Sequence, residues 1–218
     1  MSLVPSSTDP DPLELGEIER LAAAAAPARL RPAYRAVFAL DGALRRIALS
    51  AREPLPAQLG LAWWRDACGD IRSNRSRHPV LLALDQDWHG DAGHLISLVD
   101  AWEEVAVSQD ARDTAAEALA SCRARAFAAI AQEGESAALG DARVWTLVTL
   151  AEHAPDAQQR EAMRATARGI AAQRLPRSLR PLAVLAGLAR RALAANRGQL
   201  IGDRLSPLAA MRLGIFGR

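Results

Sequence analysis

The chain has 218 residues, half of them hydrophobic and 24% charged, at a formal net charge of +2. That length and apolar content leave room for one large domain with a sizeable core. No stretch reaches about 18 uninterrupted apolar residues, which excludes a membrane-spanning helix as a reading of the sequence, and the run LAAAAAPA is too short for one.

Every one of the 27 basic residues is arginine. Alanine is abundant, and β-branched and aromatic residues are sparse, which favours helix because unbranched side chains lose little rotamer freedom there. The charge is unevenly spread: residues 1–161 carry 16 arginines against 24 acids, whereas residues 162–218 carry 11 arginines against Asp203 alone. Such a separation either attracts an anionic partner or is neutralised internally, the basic end packing on the acidic body. Cys68 and Cys122 lie far apart, without metal-like spacing, and are expected to be reduced core thiols of a cytoplasmic protein. The opening MSLVPSSTDPDPLELGE has neither a basic start nor an apolar core, so it is not taken as a secretory signal.

Residues 1–11, rich in Ser, Pro and Asp, are expected to be a disordered tail, with one helical domain over 12–218. Asp11-Pro12 offers a cap and a first-turn proline for a helix to about Ala26. Pro27 and Pro32 precede a helix over 33–51, whose Val37, Leu40, Leu44, Ile47 and Ala48 form one stripe with Asp41 beside it. After Pro54 and Pro56, a helix over 57–72 is expected to bury Leu59, Ala62, Trp63, Ala67 and Cys68 and to turn Arg65, Asp66 and Asp70 outward. His78-Pro79 opens a short helix to Asp87. Asp91 caps the next, over 92–107, with Leu95, Leu98, Val99, Trp102 and Val105 inward. Helices follow over 110–132, 141–153 with Val144, Leu147, Val148 and Leu150 inside, from Pro155 to about Ala172, and 182–195. A short one over 208–216 ends the chain. Nine or ten helices with short connections and no strand alternation predict an all-α bundle.

The stretch Glu53–Asp70, EPLPAQLGLAWWRDACGD, resembles the squalene/phytoene synthase family, in which an aromatic-rich helix of the form RLQWWRDAL follows an EP turn. The likeness continues through HPVLLAL (His78–Leu84) and LVDAWEE (Leu98–Glu104), is concentrated in residues 33–104, and weakens beyond them. It implies a bundle of the isoprenoid synthase type, shortened relative to the usual family length. Active members hold magnesium and diphosphate on two aspartate-rich motifs facing an apolar cavity. Here the first motif position reads Ile47-Ala48-Leu49-Ser50-Ala51-Arg52, and the late region from Met163 offers Asp203 as its one acid. One carboxylate cannot build a multinuclear magnesium site.

The resemblance therefore implies a non-catalytic protein with no catalytic residues and no cofactor. Its expected role is binding an isoprenoid or lipid or assisting assembly of a membrane complex, as does the branch of the family that assists respiratory complex I, at the inner face of the membrane. The alternative is a magnesium-dependent prenyltransferase with a rearranged site at Asp66, Asp70, Asp100 and Glu104, since carboxylates three or four residues apart share a helix face; the same spacing also occurs on ordinary solvated faces and in ion pairs. Trp63, Trp64 and Trp102 are candidates to line a cavity, or are core packing. Arg190, Arg191, Arg204 and Arg212 adjoin apolar segments of a kind that rests on an anionic membrane surface, a pattern shared by ordinary bundle helices. No recognised nucleic-acid module is present, and the basic region lacks aromatics, so nucleic acid is not an expected partner. The histidines are unclustered, and no HExxH, nucleophile elbow or zinc spacing occurs.

Overall fold

In a computed structural model, which describes residues 12–50, 54–72, 78–108 and 112–195 together with Arg212 and Gly214, the described residues form nine α-helices and one 3-10 turn, with no strand among them. These are α1 (Glu17–Ala24), α2 (Arg31–Ser50), α3 (Pro54–Gly69), α4 (Pro79–Asp87), α5 (Ala92–Val107), α6 (Arg112–Ala131), α7 (Glu135–Ala151), α8 (Ala157–Gly169) and α9 (Arg180–Ala194). The 3-10 turn, Arg177–Leu179, leads directly into α9. The all-α bundle expected from composition and proline spacing is therefore what forms.

Local punctuation sets several helix starts. The His78 ring accepts a hydrogen bond from the Val80 backbone N–H and stands before Pro79, whose missing N–H costs nothing in a first turn. Asp91 accepts from Gly93 N, and Asp156 from Gln159 N, each satisfying an N–H that has no partner inside its helix. Other boundaries differ from expectation. Helix α1 begins at Glu17 rather than beside Pro12, because Glu14 takes a positive φ of 51° that no α-helix continues through. Helix α7 begins at Glu135, six residues earlier than expected, and Gly140 is accommodated inside it. Apart from Arg212 and Gly214, the expected last helix over 208–216 lies outside the described residues, as does the tail over 1–11.

Helix α2 is the central element. All residues from Ala36 to Leu44 are buried, so its apolar stripe widens to the whole circumference, and α1, α3, α4, α5 and α6 pack around it. The remaining helices follow one another around the bundle, α3 on α5, α5 on α6, α6 on α7, and α7 on both α8 and α9, with α9 returning to α1. On α5 and α7 the inward faces are the expected ones. Tyr34, Phe38, Phe127 and Trp145 join α2, α6 and α7 through ring contacts of 5.4 to 6.3 Å between centroids. Both cysteines are buried free thiols, as expected; burial pushes Cys68 up to about 12 and raises Cys122 as well, so neither is a thiolate at neutral pH.

Helix α3 departs from expectation in its register. Its buried side runs through Ala57, Leu61, Trp64 and Cys68, while Leu55, Leu59 and Trp63 are exposed at 65%, 65% and 47%. The two adjacent tryptophans point about 100° apart on a helix, and packing against α5 selects Trp64 as the inward one. The expected burial of Leu59 and Trp63 is thereby corrected.

Candidate functional site

The middle of the bundle holds a buried charge pair. Asp41 on α2 and Arg123 on α6 are 2% and 1% exposed. The guanidinium grips the carboxylate with both oxygens engaged, Nε to Oδ1 at 3.0 Å and Nη2 to Oδ2 at 2.8 Å. Its Nη1 donates to Thr146 Oγ1 on α7 at 2.9 Å, and Trp102 Nε1 on α5 donates to Asp41 Oδ1 at 2.9 Å. The Arg123 guanidinium lies 3.8 Å from the centre of the Trp145 ring and 5.2 Å from that of Trp102. Four helices thus meet on one ion pair sandwiched by two indoles. A planar fork suits this arrangement as an ammonium would not, because it bonds in its plane while its faces stack. Asp41 was visible in sequence as an acid beside an apolar stripe; Arg123 was not singled out.

The expected metal ligands lie at α3 and α5. Asp66 is exposed on α3 and Asp70 in the turn just after it, Asp100 is exposed on α5, and Glu104 is half-buried. Between them stands Arg65, whose Nε donates to Asp100 Oδ1 at 2.6 Å and whose Nη2 bonds Glu103. These two carboxylates hold the guanidinium above its ordinary pKa, the Glu103 contact contributing most. A guanidinium in that position supplies the charge a cation would supply, and among the described residues no group of three or more His, Cys, Asp or Glu is placed to hold a metal ion. As placed, Asp66, Asp70, Asp100 and Glu104 do not fit magnesium. Asp70 instead lines a cleft of about 270 Å³ with Arg72, Asp85 and Trp88.

The three candidate cavity tryptophans have different surroundings. Trp102 is fully buried and bonded to Asp41. Trp64 is buried against the His78 ring at 4.9 Å between centroids. Trp63 lies edge-on to Trp64 at 4.9 Å, and with Leu55 and Leu59 it forms an exposed apolar ridge at four-residue intervals. Burial holds the His78 imidazole below its usual pKa, with Glu14 pulling weakly the other way.

Of the four candidate anion-binding arginines, Arg190 is turned inward. Its Nη2 stands 2.7 Å from Asp141 Oδ1, outside good hydrogen-bond alignment, so the contact is chiefly Coulombic. Burial raises the Asp141 carboxyl above the usual range, and Arg190 pulls it partly back. The apolar stripe of α9 beside it, Leu182, Leu185, Leu188, Ala189 and Ala192, is buried, so it packs in the bundle and does not face outward. Arg190–Asp141 is one instance of the basic end neutralising the acidic body. Arg191 is half-buried, Arg212 is exposed, and Arg204 lies outside the described residues.

A further cleft, of about 580 Å³, was not foreseen. Arg29 from the α1–α2 connection and Arg177 and Arg180 from the start of α9 line it, with Glu133 from the α6–α7 turn. Its separate contributors lie almost 150 residues apart, and the sequence signal was confined to the local cluster RLPRSLRP at 174–181.

The molecule is thus an all-helical bundle closed around a polar core pair, with an arginine-lined cleft at the α9 start. No protein-family model, curated protein or solved structure gives a match to the chain.

Proposed function

We propose that this chain is a non-catalytic, squalene/phytoene synthase-like protein that binds an isoprenoid or lipid and serves assembly of a membrane complex. The observation that carries this reading is the packed bundle centre. A prenyl diphosphate site needs an apolar chamber with carboxylates at its mouth. Here Arg123, Asp41, Trp102 and Trp145 fill the space between α2, α5, α6 and α7. Two of the three acids of α5, Asp100 and Glu103, are engaged by Arg65. The apolar surface open to a ligand is instead the ridge Leu55, Leu59 and Trp63, on the helix that carries the family resemblance. A tryptophan beside two leucines suits the boundary between hydrocarbon and water, where an indole is well solvated on one edge only.

Phosphatidylcholine vesicles with and without a polyprenol test the ridge. The protein is expected to co-sediment with the polyprenol vesicles, and Trp63→Ala to weaken that by about tenfold, the loss of one large buried aromatic contact. Because Trp63 is largely exposed, the same change is expected to alter stability by less than about 1 kcal/mol. Equal binding by the wild type and Trp63→Ala, or none by either, would remove the ridge from the proposal.

A further inference from the structure

From the cleft beside the start of α9 we infer a binding site for a phosphate group, carried by a small molecule or by a lipid headgroup. The inference stands apart from the reading of α3 and uses none of its residues.

Three arginines, Arg29, Arg177 and Arg180, line a cleft of about 580 Å³. None of the three takes part in an ion pair among the described residues, although Arg45, Arg46, Arg65, Arg123, Arg143, Arg168 and Arg190 all do. Arg180 Nε is buried and has no hydrogen-bond partner. Like charges gathered without counterions repel one another, and a buried guanidinium N–H left unbonded costs about 1–3 kcal/mol. An oxyanion in the cleft relieves the repulsion, and the fork geometry of arginine matches phosphate oxygens.

The opposing charge on the lining is Glu133, which is already engaged: Ser178 Oγ donates to Glu133 Oε1 at 3.0 Å. That bond positions the wall more than it neutralises the arginines, because one carboxylate faces three cations. Tyr34 Oη donates to the Ser178 carbonyl at 2.7 Å and ties the same turn to α2. Arg31 reaches the Ala24 and Ala26 carbonyls at 3.3 and 3.4 Å, holding the opposite wall. Pro27, Pro176 and Pro181 fix backbone φ on both sides. The arginines thus project from a braced frame, which lowers the ordering cost of binding.

The cleft is roomier than one phosphate, so the phosphate is one end of a larger ligand.

Calorimetric titration with inorganic pyrophosphate at low ionic strength reads the site directly, since screening weakens exposed charges at higher salt. Arg29→Gln/Arg177→Gln is expected to weaken binding by at least about tenfold, and Arg180→Gln similarly, each change removing a charge-assisted hydrogen bond. Arg72→Gln, on another cleft, is expected to bind as the wild type does. Arg29 and Arg177 are exposed, so their double variant should melt as the wild type does, separating lost binding from lost folding. Co-sedimentation with phosphatidate vesicles against phosphatidylcholine vesicles forms the second arm. Pyrophosphate binding without a phosphatidate preference assigns a soluble phosphorylated ligand; a phosphatidate preference lost in the double variant assigns a headgroup. Absence of binding to both probes, or binding unchanged in the double variant, overturns the inference.

Discussion

Replacing Arg123 by methionine is expected to destabilise the protein by about 3–5 kcal/mol, because it leaves the Asp41 carboxylate buried without its partner. For a domain of this length that lowers the melting temperature by on the order of 10 °C. The loss has two parts. The carboxylate keeps its bond from Trp102 Nε1 but loses both bonds from the guanidinium, and Thr146 Oγ1 loses its donor. Adding Asp41→Leu to Arg123→Met should restore part of the stability, since removing both charges removes the uncompensated one. Recovery will stop short of the wild type, because the Trp102 N–H then has no acceptor, at about 1–3 kcal/mol. Urea unfolding of the three variants gives the cycle. A single variant costing under 1 kcal/mol would mean that the pair does not organise the core.

Trp145→Ala is expected to cost a similar amount, about 3–5 kcal/mol, through the cavity left by a 1% exposed indole. The ring touches Phe38 and Phe127 and stacks on Arg123 at 3.8 Å, so the change strips one face of the guanidinium as well as opening the aromatic cluster. Trp145→Phe should recover most of the loss, keeping a ring under the guanidinium while removing volume. Unfolding midpoints in urea check both; an alanine variant within 1 kcal/mol of the wild type would contradict the packed centre.

Much of the architecture was legible in the sequence for physical reasons that act locally. Proline and capping residues mark helix starts, and His78 and Asp91 act as those rules require. The inner face of α5 follows from three- and four-residue spacing, because it has one apolar side. Helix α3 defeats the same rule: Leu55, Leu59 and Trp63 form as good an apolar ridge as Ala57, Leu61 and Trp64, and packing against α5 chooses between them.

The sites were less legible than the helices. Asp41 and Arg123 are 82 residues apart, so no local pattern announces that they pair. Arg190 read as a surface cation until Asp141, on a different helix, took it. Arg65 is legible as an outward-turned residue of α3, but not as the partner of Asp100 and Glu103 on α5. Arg29, Arg177 and Arg180 come to line one cleft through tertiary packing alone. In each case the missing information is which distant partner a charged side chain meets.

Under the proposed function this all-helical bundle does not ionise prenyl diphosphates. Incubation of the purified protein with farnesyl or geranylgeranyl diphosphate and Mg²⁺, with diphosphate release followed over time, tests it most directly. Release at the rate of the protein-free control is predicted. Release above that rate, abolished by Asp66→Ala and Asp70→Ala, would contradict it.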